Sequence, residues 1–245
     1  MIIDINAHFG SLTGCSIDLS ATALRGSMES AGIARAAASD IASARGTDTH
    51  AASIDPDEWM FPFLSVAPDF RLERVAAGKE IRGIRLYPTY QVWDFSGTAF
   101  RELLGFAEGL GLAVQVFLRL RDPRVLAQEV PSAEVVESVG KVAGARPGVR
   151  FIISGATLAE IRASIDVFRR TNIWVDSAHL QHPMNSLPKA VGLLGAENVL
   201  FGSNAPFFYA EAAVFRLRHS PLSDRDRELI QSANALRLLG SEVTK

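Results

Sequence analysis

The chain has 245 residues, 48% of them apolar, with Lys plus Arg at 25 against Asp plus Glu at 27 and a formal net charge of −2. That near-neutral balance offers no basic footprint for nucleic acid or an anionic membrane surface, and no apolar run approaches the roughly 20 residues that cross a bilayer. The single cysteine, Cys15, excludes an intramolecular disulfide and a cysteine-rich zinc site.

Short apolar, β-branched runs alternate with longer amphipathic stretches along the whole chain. Met1-Ile2-Ile3 runs into Asp4 with no basic region before it, so no secretory leader is expected and a reducing cytoplasm is the expected compartment. Strands are expected over 2–6, 33–38, 61–66 and 83–87, followed by helices over 21–31, 41–51, 71–79 and 98–109 respectively. The second half continues with strands over 112–118, 149–153, 172–176 and 198–202 and helices over 133–143, 158–169, 186–194 and 210–218. A last helix, 224–239, follows the eighth unit.

Ser132 is placed as an N-cap, Gly32, Gly111 and Gly195 stand where left-handed C-terminal residues are expected, and Pro147-Gly148 signals a turn. Strict βα alternation implies parallel strands with right-handed crossovers, and eight units spaced by roughly 30 residues favour closure. The rival open sheet lacks a Gly-x-Gly-x-x-Gly after the first strand. The expectation is an α/β fold: one domain over 1–245, a single (β/α)₈ TIM barrel with an extra C-terminal helix.

Barrel chemistry sits at the C-terminal ends of the strands. Those ends offer Asn6 and His8, then Arg85 and Tyr87, then Gln115, Phe117 and Arg119 with Arg121 and Asp122 beyond. Strand six offers Ser154 and Gly155, strand seven Asp176-Ser177 and then His179 and His182, and strand eight Gly202-Ser203-Asn204. Asp4 shares parity with Asn6 and His8 and would lie deeper, as a paired structural carboxylate. Trp93 and Phe95, and Phe207-Phe208-Tyr209, would wall a pocket or simply pack.

The opening Met1-Ile-Ile-Asp-Ile-Asn-Ala-His-Phe-Gly resembles the first strand of the amidohydrolase superfamily, in its amidohydrolase-related branch, where that strand ends His-x-His-x-x-Gly. Gly83-Ile-Arg-Leu-Tyr-Pro, Leu200-Phe-Gly-Ser-Asn-Ala-Pro-Phe and Asn234-Ala-Leu-Arg-Leu-Leu are similar to the same branch, in order along the chain. The resemblance implies a metal held by two histidines of strand one, one each of strands five and six, and an aspartate of strand eight. Such a set lowers the pKa of bound water, and the aspartate accepts its proton. Here those positions read Asn6, His8, Phe117, Gly155 and Asn204, so the expected metal site is degenerate and neither metal nor cofactor is expected. Lys79, Lys141, Lys189 and Lys245 are not at strand ends, which closes a carboxylated-lysine bridge and a Schiff base.

Three functional readings follow. In the first, a metal-independent enzyme hydrolyses or decarboxylates a small carboxylated molecule, with His8 as acid/base and Asn204 in the aspartate's place. Asn6, Arg85, Tyr87, Arg119, Asp176 and His179 would bind the substrate, the two arginines clamping its carboxylate in forked fashion. The bland alternative for those arginines is pairing with Asp or Glu at the rim, and for His8 a hydrogen-bonded histidine left in the mouth. In the second, the barrel is a pseudoenzyme that holds a small ligand or a partner chain in the old site. In the third, His8, Asp176, His179 and Asn204 form an unusual metal set. The expected partner is a small molecule, with neither nucleic acid nor membrane, and a homo-oligomer is left open.

Overall fold

The computed structural model describes residues 1–12, 15–42, 59–72, 75, 81–121, 127–183 and 185–240. Eight parallel strands run in the order of the chain: β1 (Ile3–Phe9), β2 (Arg35–Asp40), β3 (Met60–Ser65), β4 (Gly83–Leu86), β5 (Ala113–Phe117), β6 (Arg150–Ser154), β7 (Ile173–Asp176) and β8 (Val199–Leu200). The seam between β8 and β1 is closed by the segment after β8: Ile5 N–H donates to Phe201 O at 2.9 Å, Asn204 N–H to Asn6 O at 2.8 Å and His8 N–H to Ala205 O at 2.8 Å. The result is a (β/α)₈ barrel, as the βα cadence implies.

The described helices are α1 (Ala21–Ala31), α2 (Thr98–Gly109), α3 (Ser132–Ala145), α4 (Leu158–Ala163), α5 (Ile165–Phe168), α6 (Ser186–Leu194), α7 (Ala210–His219), α8 (Asp224–Glu228) and α9 (Asn234–Leu239). The helices expected over 41–51 and 71–79 fall, apart from 41–42, 71–72 and Val75, outside the described residues. The helix expected over 158–169 is broken at Ser164, whose φ of −126° and ψ of 38° leave the helical region. The expected last helix is α8 and α9 joined by a π-helical turn, Leu229–Ala233.

Ser132 is not the cap expected of it. It is the first helical residue of α3, and its hydroxyl turns to Leu118 O. Three other residues cap in its stead: Ser20 accepts Ala23 N–H at 3.1 Å, Ser223 accepts Asp226 N–H at 3.1 Å, and Thr157 with Glu160 forms a reciprocal capping box.

Inside the barrel three layers stack. At the end where the strands begin, Ile3, Ile5, Ala37, Phe61, Phe63, Ala113, Ile152 and Leu200 form an apolar floor against Leu236, Leu238 and Leu239 of α9. A polar layer of Asn6, His8, Ser39, Arg85, Gln115, Ser154 and Asp176 lies above it, all buried. Over the polar layer, Tyr87, Tyr90, Phe117 and Leu120 pack with Leu19 and Ile41, with Leu12, Ile17 and Phe207 against them.

Candidate functional site

The site begins with an irregularity in β1. Its pairing to β2 runs Asp4 with Ala36 and then Ala7 with Ala38, so three steps of β1 oppose two of β2. A bulge of this kind puts two successive residues on one face. Ile5 joins the apolar floor, and Asn6 nevertheless reaches His8 and Asp176. Asp4 consequently does not share a face with His8, contrary to the parity expectation. Its carboxylate straps β1 to the strand-eight segment, accepting Asn6 N–H at 2.8 Å, Ser203 N–H at 3.0 Å and the Ser203 hydroxyl. It is a paired structural carboxylate, as expected, and burial raises its pKa to about 7.

From Asp176 outward, hydrogen-bond directions fix the protonation pattern. Asp176 Oδ1 accepts Ala178 N–H at 2.8 Å and Oδ2 accepts Asn6 Nδ2 at 3.1 Å. Asn6 must then present its carbonyl oxygen to His8, whose Nε2 lies 3.1 Å away and so carries the hydrogen. His8 Nδ1 faces Arg85 Nη1 at 3.4 Å; both Nη1 hydrogens go to Ala7 O and Ser39 Oγ, and a second N–H pointing at the cation is disfavoured, so Nδ1 is the bare nitrogen. Nε2 is engaged by Asn6 and Nδ1 is covered by the guanidinium. Burial, with the Arg85 charge second, holds the His8 pKa well below the usual imidazole value, and burial raises that of Asp176.

Arg85 is fully buried and its five N–H groups are spent inside the protein. Nε donates to Gln115 Oε1 at 2.7 Å, Nη1 to Ala7 O at 2.6 Å and Ser39 Oγ at 3.0 Å, and Nη2 to Ala37 O at 2.8 Å and Ile5 O at 3.1 Å. The expected clamp on a substrate carboxylate therefore has no donor to offer from this residue. Tyr87 is equally enclosed, its hydroxyl 3.2 Å from Ser65 Oγ. Ser39 and Ser65, which complete the layer, were missed in sequence because the expected β2 stopped at 38 and lone serines carry no signal.

Arg119 stands apart from His8. Its guanidinium engages both carboxylate oxygens of Glu160, at 2.7 Å from Nη1 to Oε2, and also Gly155 O. This is the rim ion pair, not a free anion anchor. His179 is buried against Phe208, ring centroids 5.0 Å apart, and neither ring nitrogen has a partner; burial pushes its pKa down to about 3. His182 is exposed, so the pair does not share a site. Asn204 adopts a left-handed φ of 60°, donates to Leu120 O at 2.8 Å and sets its amide against His8. Asp122 lies outside the described residues. Phe95 and Trp93 line a cleft of about 520 Å³ on the barrel's flank with Leu104 of α2 and Val142 of α3, away from the mouth.

Two glycines explain why the chain passes where it does. A Cβ on Gly202 would stand 2.9 Å from Asp176 Cβ and 3.1 Å from Asn6 Cβ, so only glycine lets β8 cross that pair. Gly155 sits at φ +80°, and a Cβ there would lie 2.7 Å from Arg119 O. Aromatic rings close the top: Phe117 lies 5.1 Å and Phe207 5.7 Å from the His8 ring, and Tyr87 stacks on Phe117 at 5.0 Å.

The sequence pattern of the amidohydrolase 2 family, described as amidohydrolase, matches residues 16–241. The chain belongs to the amidohydrolase 2 family. The matched stretch begins after the Asn6-Ala7-His8 strand, which the opening resemblance rested on. Among solved structures, the chain is similar to 5-carboxyvanillate decarboxylase from Sphingomonas paucimobilis, with 14% identity, 98% of each chain covered and a TM-score of 0.75. It is also similar to a 2-pyrone-4,6-dicarboxylic acid hydrolase, so titled as putative, from Pseudomonas putida: 18% identity, 99% of this chain and 98% of that one covered, TM-score 0.73. A third is 2,6-dihydroxybenzoate decarboxylase from Rhizobium, with 16% identity, 98% of each chain covered and a TM-score of 0.76. At these identities the likeness is one of fold. No curated protein sequence matches the chain.

The metal that the amidohydrolase resemblance implies does not fit the residues present. One imidazole, two neutral amides, a phenyl ring and a glycine occupy the five positions, and a guanidinium stands against the one imidazole. Among the described residues, no three His, Cys, Asp or Glu side chains are grouped so as to hold a metal ion. Lys141 and Lys189 lie on α3 and α6, while Lys79 and Lys245 are outside the described residues.

Proposed function

We propose that this amidohydrolase-family barrel is catalytically silent at its inherited centre, a pseudoenzyme in which the old site has become hydrogen-bonded core. The observation that carries this reading is the saturation of His8. Its Nε2–H is given to Asn6 and its Nδ1 faces Arg85, so neither nitrogen is free to exchange a proton with a substrate. The rings of Phe117 and Phe207 cover it as well. A base must reach the proton it abstracts, and a buried imidazole held neutral by a cation has neither the reach nor the basicity.

A second reading is favoured by the orphaned nitrogens of His179 and the unpartnered Nε of Arg216, both buried. Unmet polar groups of this kind are costly and are satisfied when a ligand arrives. In that reading a small carboxylated molecule, of the class named for the similar decarboxylases and hydrolase, enters beneath Phe207 and Phe208 and is turned over without metal.

The experiment is a panel of aromatic carboxylates, lactones, esters and amides, run with and without added divalent metal, against His8→Ala and His179→Ala controls. No turnover above the buffer rate is expected. Turnover that disappears in His8→Ala would overturn the silent centre, and turnover lost only in His179→Ala would establish the second reading.

A further inference from the structure

We infer that Arg85 is a resident cation that takes the electrostatic and cross-linking place of the metal ion in this barrel, so that the centre is closed to divalent metals and His8 is locked as the Nε2–H tautomer. The inference goes beyond catalytic silence and does not depend on it, since a metal-free enzyme would keep the same cation.

The chain of cause starts in the backbone. The bulge in β1 interrupts its ladder with β2 between Asp4 and Ala7. Backbone carbonyls beside the bulge turn towards the Arg85 side chain, and a buried carbonyl demands a donor. Three of them, Ile5 O, Ala7 O and Ala37 O, converge on the single guanidinium of Arg85. Gln115 serves Ile5 O a second time at 3.0 Å, and its other end receives Arg85 Nε. A ring of inward carbonyls is a negative hole, and the planar fork of arginine meets several acceptors at fixed angles, which a lysine cannot do.

The surroundings are built for a cation rather than for ligands of one. The guanidinium carbon lies 5.2 Å from the centroid of Phe63 and 5.4 Å from that of Phe117, within cation–π reach of both. Phe117 stands at the position where the amidohydrolase resemblance expects a histidine. The residue that would have ligated a metal instead shows a ring to the cation already present. Arg85 also sits in the field of the two buried carboxylates, Asp4 and Asp176, and offsets charge that would otherwise be unmatched in the interior. Through these bonds one side chain on β4 ties together β1, β2 and β5, the cross-strand work that a multi-ligand metal ion performs.

Exclusion of metal follows from the same geometry. A divalent ion on His8 Nδ1 would have to displace Arg85 Nη1 from 3.4 Å and would meet a like charge with no carboxylate in contact to offset it. An ion on Nε2 would require the Asn6 hydrogen bond to break and the Asp176–Asn6 bridge to turn around. Arg85 is thus a positioning residue for His8. Burial lowers its pKa to about 10, which leaves it charged at any physiological pH.

The test has two readouts, neither of them turnover. Protein prepared without chelator is dialysed against Zn²⁺ and Mn²⁺ salts and its metal content measured, and nitrogen-15 spectra of the histidines report protonation of each ring nitrogen. The expected result is metal content at the buffer blank and a His8 with bare Nδ1 and protonated Nε2, unmoved by either metal. Near-stoichiometric metal that shifts the His8 signals, or a His8 protonated at Nδ1, would overturn the inference. Arg85→Met removes the donor and should admit the Nδ1–H tautomer, whereas Arg85→Lys keeps a donor and should retain Nε2–H. Should Arg85→Met fail to fold, the wild-type spectra and metal content still decide; Arg85→Lys keeps the charge without the fork, and loss of the Nε2–H tautomer there would overturn the locking of His8 by charge.

Discussion

Arg85 Nη1 and His8 Nδ1 face each other at 3.4 Å in the polar layer of the barrel, a cation set against the imidazole of the first strand. The two residues come from β4 and β1, on opposite sides of β2 and β3 in the sheet, and their approach agrees with the hydrogen-bond directions that run from Asp176 through Asn6 to His8 Nε2.

Asn6 is the bridge that makes this pattern rigid. Asn6→Ala would leave the His8 Nε2–H and Asp176 Oδ2 without their partner in a buried setting. The expected loss is roughly 2–4 kcal/mol of unfolding free energy, measured by denaturant titration. A loss below about 0.5 kcal/mol, the range of an ordinary surface change, would show that the bridge is not stabilising.

Asp4 gives the protein an unusual response to pH. Its folded pKa is about 7 against an ordinary value of 3.8, so between those pH values the folded state holds a proton that the unfolded state has lost. The sign is therefore negative: this residue's contribution to stability falls as pH rises from about 4 to 7 and is fully lost above. Asp4→Asn keeps an acceptor for the N–H groups of Asn6 and Ser203 and removes the titration. Relative to wild type, the thermal midpoint of Asp4→Asn should become more favourable from pH 5 to pH 8. A difference independent of pH would rule the assignment out.

His179 acts with the opposite sign. Its pKa is lowered to about 3 from 6.5, so acid pulls the protein towards the unfolded state, which alone takes up the proton as pH falls below 6.5. Both ring nitrogens lack partners, so His179→Leu should stabilise the protein by about 1–2 kcal/mol at neutral pH, and by more at pH 5. Thermal melts at the two pH values check this, and destabilisation at both would mean that the imidazole has a partner in solution.

Gly155 cannot become the histidine that the amidohydrolase resemblance expects at that place. At φ +80° with Arg119 O only 2.7 Å from a Cβ, Gly155→Ala should cost on the order of 1–3 kcal/mol, read as a lowered thermal midpoint. Because the Arg85 charge stands against His8 Nδ1, Asn6→His with Asn204→Asp should fail to take up zinc while Arg85 remains, as titration calorimetry would show.

The barrel was legible in the sequence because the periods of strand and helix are local properties: each βα unit advertises itself within a few dozen residues, and eight in strict alternation leave little choice of topology. The residue types at the strand ends, Asn6, Phe117, Gly155 and Asn204 among them, were legible too. What each polar side chain does was not. Period-two alternation placed Asp4 on the face of His8, deeper in the barrel, and a bulge that no residue type announces moved it to the other face. Arg85 and Arg119 looked alike in the chain, yet one fills a hole of backbone carbonyls and the other pairs with Glu160. Sequence by itself determined the scaffold and the residue types that stand at its strand ends. Only the tertiary structure decided what each polar side chain meets, because the carbonyls Ile5 O, Ala7 O and Ala37 O and the cation that serves them come together only once strands remote in sequence are side by side.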